Sequence, residues 1–310
     1  MNAMKIGLQL VVILGLFLVS CNDDDNSSLY LSVREINLNA GGTQQSVTVQ
    51  TNTPIWHFSK GAAWVIVERD EDILRIGATA NPTRNSRSAN VVITSNGQYE
   101  RIVITQAGSS RAVGEPYPDA ANPIGIIYKM IDGEHGKVFS LNEAYCAWAS
   151  VRGANETIRG FHDGKGNTRY IINTYGGDPD FETLYPAFAW ILDKNEGDPA
   201  GKWYIPAHYE MVEMYHVLTG NAYTIPATPP TSTGGINLTH DFKTREQFNF
   251  CITTYGGIPF TYEETYYYLT STEHNDSNVR AVSFTAGYSF GSTNSKTSAT
   301  DSAVRAILEF

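Results

Sequence analysis

The chain has few charged residues and no basic segment. Asp, Glu, Lys and Arg make up only 17% of its 310 residues, against about 25% in an average soluble protein, and the formal net charge is −10. Residues 1–113 balance nine basic with nine acidic side chains, so the negative excess lies in residues 114–310, where 13 basic residues face 23 acidic ones. Because no patch of Lys and Arg is present to neutralise phosphates, we do not expect nucleic-acid binding. A His-Glu-x-x-His zinc helix and a phosphate-binding loop are also missing.

Long apolar runs are missing outside the N-terminus. Residues 6–19 are almost entirely apolar but too short for a transmembrane helix, which needs about 20 such residues, so residues 1–20 are predicted to be a signal peptide. The boundary sequence Leu-Val-Ser-Cys resembles the lipobox of bacterial lipoproteins, which implies lipidation of Cys21. Residues 21–28 are an acidic tether that resembles the surface-export signal of Bacteroidetes-type lipoproteins. The resemblance implies an outer-membrane protein that faces the medium and contacts the membrane by its lipid anchor only.

Cysteine is scarce as well. With Cys21 lipidated, Cys146 and Cys251 are the two that remain. An oxidising cell surface permits a disulfide between them. Two buried free thiols that pack as small apolar side chains are the alternative, and the sequence leaves both open.

Residues 29–108 consist of short runs rich in Val, Ile and Thr with turn residues between them. The Asn96-Gly97 pair separates two such runs and is typical of a β-hairpin turn. The pattern predicts an all-β, immunoglobulin-like sandwich, with Trp56 and Trp64 in its core. The predicted strands are 29–33, 45–50, 64–68, 73–78, 89–94 and 100–106.

A family resemblance covers this whole region. It rests on Gly41-Gly42, the segment Asn52-Thr53-Pro54-Ile55-Trp56, Trp64-Val65, the segment from Ser86 to Ile93 and the closing Ile104-Thr105-Gln106-Ala107-Gly108. In this order they resemble the BACON domain, whose name proposes carbohydrate binding. We expect the sandwich to act mainly as a spacer.

A linker is predicted at residues 109–117, followed by an α+β domain at 118–310. Two strands are predicted around Asp132-Gly133, and strands also at 248–254, 266–270, 280–284 and 303–310. One helix is predicted to begin at Ser140, with Glu143 completing a capping box and Trp148 on its apolar face. A second helix is predicted over 207–218.

The distal region also resembles a family. The motifs are residues 133–144, 163–168, Gly201-Lys202-Trp203-Tyr204-Ile205-Pro206, 268–273 and Val304-Arg305-Ala306-Ile307. They fall in the order of the Fibrobacter-type major paralogous domain, which is C-type-lectin-like. The resemblance implies adhesion or recognition at a cell surface, through a glycan or a protein ligand.

Candidate binding residues are aromatic and acidic. Tyr175 and Tyr255 each precede a Gly-Gly pair and are predicted to lie at strand ends. Together with Tyr223 and Tyr262 they are candidates for a ligand-binding surface. The alternative is that these tyrosines pack against their own loops. Glu273, Asn275 and Asp276 offer oxygen ligands that calcium prefers, and a polar hairpin loop is the alternative.

The sequence therefore predicts a non-catalytic surface lipoprotein without an obligatory cofactor. Two alternatives stay open. One is a structural or tip subunit of a surface fimbria, and the other is a glycan-directed enzyme with two convergent carboxylates.

Overall fold

The structure is a computed structural model. The predicted signal peptide, Cys21 and Tyr223 lie outside the residues that it describes. Within those residues, no helix is both long and apolar enough to cross a membrane. The described residues are 27–150, 160–220, 242–263, 265–284 and 293–310.

The N-terminal domain is a β-sandwich of two four-stranded sheets, with the strand orders β1-β3-β6-β5 and β2-β8-β7-β4. All six predicted strands are present, and the short strands β2 and β4 add to them. The eight strands are β1 (Leu29–Leu31), β2 (Glu35–Leu38), β3 (Gln45–Thr51), β4 (His57–Lys60), β5 (Val65–Asp70), β6 (Ile73–Ala78), β7 (Arg87–Ser95) and β8 (Gln98–Gln106).

Alternating apolar side chains and one tryptophan fill the space between these sheets. Val47 and Val49 of β3 point inward while their neighbours are exposed. Trp56 is 2% exposed, and its ring lies 3.6 Å below the guanidinium of Arg69, so its prediction as a core residue is confirmed. Trp64 is only half-buried and packs at the margin of the core.

The predicted hairpin turn is confirmed. Asn96 has φ 43° and Gly97 has φ 78°, which is the left-handed pair that a two-residue turn requires. Ser95 and Gln98 pair on either side of it.

The distal domain is built on one seven-stranded sheet with the order β14-β13-β12-β15-β11-β10-β9 and has five described helices. The predicted hairpin around Asp132-Gly133, the helix at 207–218 and the strands near the C-terminus are confirmed. The strands are β9 (Pro116–Tyr117), β10 (Gly125–Met130), β11 (Gly136–Ala144), β12 (Tyr267–Glu273), β13 (Asn278–Val282), β14 (Thr293–Ser295) and β15 (Ser302–Glu309); the helices are α1 (Gly164–Tyr175), α2 (Phe181–Leu184), α3 (Pro186–Lys194), α4 (His208–Thr219) and α5 (Phe242–Thr254).

Both faces of this sheet are covered. Val138 and Leu308 belong to a core shared with α1 and α3, which we call the α1/α3 core. Phe139 and Ile307, one residue along each strand, belong to a core shared with α4 and α5, the α4/α5 core. Because its side chains alternate between two covered faces, β15 is buried almost throughout.

The prediction of a helix that begins at Ser140 is wrong, because Ser140 lies within strand β11, which continues to Ala144. Glu143 pairs with Arg305 on β15, and its carboxylate accepts a hydrogen bond from that buried guanidinium. Trp148 lies beyond the strand, and its Nε1 donates to the carbonyl of Thr270 at 3.1 Å. The apolar residues whose spacing resembled a helix face pack on opposite sides of the sheet: Leu141 contacts the α4/α5 core, and Trp148 belongs to the α1/α3 core.

The strand predicted at 248–254 is also wrong, because it lies within helix α5. Phe248 and Ile252, four residues apart, both pack into the α4/α5 core. The hydroxyls of Thr253 and Thr254 donate to carbonyls three or four residues earlier, which reconciles these β-branched residues with a helix end.

The segment between the domains is more ordered than a free linker. Pro116 and Tyr117 form β9, which pairs with β10. Arg84 of the sandwich forms an ion pair with Glu115. Gly133 packs so closely on Ala40 that a Cβ at position 133 would lie 1.9 Å from the Ala40 Cβ.

Candidate functional site

The predicted ligand-binding tyrosines do not form one surface. Tyr175 lies at the end of α1 and stacks on Tyr185 with ring centroids 4.9 Å apart, beside the α1/α3 core. Tyr255 and Tyr262 pack against the α4/α5 core on the other side of the sheet. Their predicted position at strand ends is wrong, because Tyr175 is the last residue of helix α1 and Tyr255 directly follows helix α5. Tyr223 lies outside the described residues.

Two of the residues proposed for calcium, Glu273 and Asn275, form hydrogen bonds within the protein. Glu273 is buried, and its carboxylate accepts a hydrogen bond from Lys296 Nζ at 2.5 Å. The Asn275 side chain accepts from the backbone N–H groups of Ser277 and Asn278, each at 2.9 Å, which closes the β12–β13 turn. Asp276 lies in the same turn. The geometry is that of a polar hairpin loop, because Glu273 faces inward and is neutralised.

Cys146 and Cys251 are free thiols and not a disulfide. They pack in different places, Cys146 at the α1/α3 core and Cys251 at the α4/α5 core, so the sheet lies between them. Burial raises the pKa of Cys146 to about 11 and also raises the pKa of Cys251. Neither thiol has the lowered pKa of a nucleophilic cysteine.

A Gly-x-Ser-x-Gly pattern at residues 287–291 lies outside the described residues.

A groove of about 670 Å³ lies between the turn before α2 and the outer side of α3. Helix α3 begins at Pro186 and buries Ala187, Phe188 and Ile191 against the sheet. Trp190 comes from the side of α3 that borders the groove and is half-buried. Its ring lines the groove, a site that the prediction based on tyrosines missed. The sequence signal for it is Ala-Trp-Ile-Leu-Asp, which places Trp190 next to a helix face with apolar spacing.

Three acidic side chains share the lining of the groove with apolar residues. Asp178, Glu182 and Asp193 line it, all three are exposed, and none forms an ion pair within the described chain. Asp178 Oδ1 accepts from the backbone N–H of Asp180 at 2.9 Å, which fixes the turn. The groove therefore combines an apolar ring with several hydrogen-bond acceptors.

A cation lies behind the tryptophan. Lys194 Nζ is 5.4 Å from the centroid of Trp190 and 4.5 Å from that of Trp203, and it donates to Asn142 Oδ1 at 2.6 Å. Burial lowers the pKa of Lys194 to about 8. These contacts hold the indole of Trp190 from its inner side.

The sandwich carries a second, smaller groove of about 480 Å³ at one end. It is lined by Ile55, His57, Thr94 and Asn96. The Ile55 side chain is 66% exposed, and Tyr99, which pairs with Thr94, is 75% exposed. This end therefore presents apolar and aromatic surface to solvent.

Residues 55–107 match the BACON family, described as "Putative binding domain, N-terminal". The matched part includes most of the residues that line the groove at the end of the sandwich. The earlier resemblance of this region to BACON is thus confirmed over these residues, and a binding role is consistent with it. None of the curated proteins matches the chain.

Solved structures resemble parts of the chain at low identity. A protein from Bacteroides thetaiotaomicron, solved by NMR, is 16% identical over 29% of this chain and 96% of its own, with a TM-score of 0.25. The M1 domain from titin is 2% identical over 26% of this chain and 92% of its own, with a TM-score of 0.21. A Bacteroides ovatus GH5 xyloglucanase, solved in complex with a XXXG heptasaccharide, is 13% identical over 74% of this chain and 62% of its own, with a TM-score of 0.25.

Proposed function

We propose that this protein is a non-catalytic, lipid-anchored surface protein of the outer membrane whose distal domain is C-type-lectin-like and binds a glycan. The observation that carries the proposal is the groove that joins Trp190 to Asp178, Glu182 and Asp193. Cys21 is the proposed anchor, residues 22–28 the tether, and the sandwich the spacer between membrane and binding domain.

The chemistry of the groove suits a sugar ring. One face of a pyranose is a patch of C–H groups that stacks on an aromatic ring, while its hydroxyls donate hydrogen bonds to carboxylates. Trp190 offers the ring, and three exposed carboxylates offer acceptors around it. The volume falls in the range of about 300–1,000 Å³ that is usual for small-molecule sites.

The sandwich is a second candidate for binding. Two observations favour it: Ile55 and Tyr99 are exposed, and most of the residues that line the smaller groove belong to the part that matches BACON. A protein ligand or a fimbrial partner would use such apolar surface more readily than the acidic groove, since interface cores are enriched in aromatic residues and depleted of charge.

The test is a screen of neutral oligosaccharides against the purified protein, followed by titration of each binder against three variants. In Trp190→Ala we expect affinity to fall at least about tenfold, the effect of losing a stacked ring. Phe250→Ala is the matched control, because Phe250 is an aromatic residue of the same domain that is 72% exposed and lies away from the groove. Tyr99→Ala reports on the sandwich.

Loss of binding in Tyr99→Ala with full binding in Trp190→Ala would move the function to the sandwich. Cleavage of a bound glycan would establish the enzyme alternative, and Glu182→Gln with Asp193→Asn would then identify the carboxylates. Thermal melting of every variant separates lost binding from lost folding.

A further inference from the structure

Arg280 on β13 has no acceptor for its side chain among the described residues. It is half-buried against the first turn of α4, and its Nε is buried without a hydrogen-bond partner. Burial lowers the pKa of its guanidinium. The Nε atoms of Arg169 and Arg305 are also buried without a partner, but each of these arginines donates through another nitrogen. Arg305 donates to Glu143, and Arg169 donates to the carbonyl of Ala200 at 2.7 Å.

The surroundings of Arg280 are aromatic. Its Cζ lies 5.6 Å from the centroid of Phe161, which is half-buried. Tyr209 packs on Phe161 at 5.5 Å, and the exposed His162 packs on Tyr209 at 4.7 Å. His208 completes the cluster: it is 1% exposed, and its Nδ1 has no partner within the described chain.

Among the described residues, the carboxylates of the segments next to this cluster have other partners. Asp163 caps α1 through a hydrogen bond from the Gly166 backbone at 2.7 Å. Glu210 accepts from Lys137 Nζ at 2.9 Å and from the Ala207 backbone, also at 2.9 Å. The guanidinium thus forms no ion pair within the part of the chain that the structure describes, although the region 114–310 has ten more acidic than basic residues.

A cation in this position costs stability. Partial burial removes water from the guanidinium, and the folded chain returns no hydrogen bond for it. A guanidinium is also the side chain best suited to bind a carboxylate or a sulfate through two parallel hydrogen bonds. An unsatisfied arginine beside an aromatic ring is therefore a receptor for an anionic group on a ligand that also has an apolar face.

We propose that Arg280, with Phe161 and His162 beside it, is a binding subsite for the carboxylate or sulfate ester of an acidic glycan. This inference rests on the proposed glycan-binding function but uses a site separate from the Trp190 groove. The acidic groove suits neutral sugars, whereas the Arg280 subsite selects negatively charged ones.

Three probes distinguish the sources of negative charge. Polygalacturonate carries carboxylates alone, dextran sulfate carries sulfate esters, and dextran is the neutral parent of the latter. We expect the intact protein to bind at least one of the two polyanions, to bind it more weakly as NaCl rises, and to prefer it to dextran. The polyanion that binds identifies the group.

Arg280→Gln is expected to weaken this binding at least about tenfold, because it removes a charge-assisted hydrogen bond. Arg101→Gln is the matched control, since Arg101 is an exposed arginine of the sandwich, and it should bind as the unaltered protein does. Equal affinity in Arg280→Gln, or failure of both polyanions to bind, overturns the subsite. Binding of neutral glycans that depends on Trp190 would still support the proposed function in that case.

A stability measurement separates a receptor from a structural residue. Arg280→Met keeps the length of the side chain and removes the unpaired charge, so we expect its melting temperature to equal or exceed that of the unaltered protein. A fall of several degrees in both Arg280→Met and Arg280→Gln would show that the guanidinium holds the fold together, and would overturn the proposal.

Discussion

Arg305 and Glu143 lie side by side on neighbouring strands, and both side chains are completely buried. The guanidinium also donates to the carbonyls of Ser140, at 3.0 Å, and Ile258, at 2.8 Å, so it joins β11, β15 and the segment after α5. The pair lies where the sheet is covered on both faces.

Removing one member of this pair should be far more damaging than removing both. Glu143→Leu leaves a buried guanidinium without its counter-charge, and we expect a loss of about 3–5 kcal/mol in the free energy of unfolding. Glu143→Leu combined with Arg305→Met should recover part of that loss, because no isolated charge remains. Urea unfolding of the two variants measures the difference, and equal losses would contradict it.

Both cysteines should be free thiols that react slowly with alkylating reagents. At pH 8 a thiol with a pKa near 11 is only about 0.1% thiolate, so Cys146 is expected to resist iodoacetamide in the folded protein. After denaturation without reductant, both Cys146 and Cys251 should be alkylated. Mass spectrometry checks this, and an unalkylated pair with a mass 2 Da lower would reveal a disulfide.

Calcium should not stabilise the protein through the β12–β13 turn. Glu273 already has a cation, because Lys296 Nζ lies 2.5 Å from its carboxylate and both side chains are buried. The melting temperature is expected to be the same with millimolar calcium and with EDTA. In Lys296→Met the isolated carboxylate should cost about 3–5 kcal/mol. A rise in melting temperature with calcium in the unaltered protein would contradict this expectation and support a calcium site at the turn.

Acid should destabilise the fold through His208. Burial lowers the pKa of His208 to about 3, while an unfolded histidine titrates near 6.5, so between these values the unfolded chain binds the extra proton. Stability is therefore lost as the pH falls below about 6.5, by up to about 1.4 kcal/mol per pH unit. His208→Leu should show a shallower loss between pH 6.5 and 4. Parallel pH profiles for the two proteins would contradict this.

The contact between Gly133 and Ala40 should fix the two domains relative to one another. Gly133→Val places side-chain atoms where Ala40 already lies, so we expect the domains to separate there. Gly177→Val is the control, because a Cβ at that position meets nothing within 4 Å. Small-angle X-ray scattering should show a larger radius of gyration for Gly133→Val alone. Identical scattering curves would show that the contact does not restrain the domains.

Much of the sandwich was predictable because its strands have one buried face, and period-two alternation records this directly. The helices of the distal domain were harder. In α5, the residues Phe248, Ile252 and Thr253 favour a strand by local preference, and tertiary packing overrides it. In β11, both faces are buried, so the sequence lacks the alternation of polar and apolar residues that marks a strand. Glu143 fits the pattern of a helix-capping residue, but it is the partner of Arg305, which is distant in the sequence.

The proposed binding residues were less predictable than the fold. Trp190 and Arg280 differ from other tryptophans and arginines only in what surrounds them: one lines a groove, and the other has no acceptor in the described chain. Neither property depends on neighbours in the sequence. The prediction of the four tyrosines rests on residue type and, for Tyr175 and Tyr255, on a shared Gly-Gly motif, and neither determines on which side of a sheet a ring lies.

The seven-stranded sheet ends in very short strands, β9 with two residues and β14 with three among the residues described. A chain that polymerises by inserting a strand into its neighbour needs a long row of unpaired backbone groups at a sheet edge. Edges this short offer a guest strand few hydrogen bonds. Among the described residues, the edges of this sheet therefore support the proposed receptor more than the fimbrial alternative.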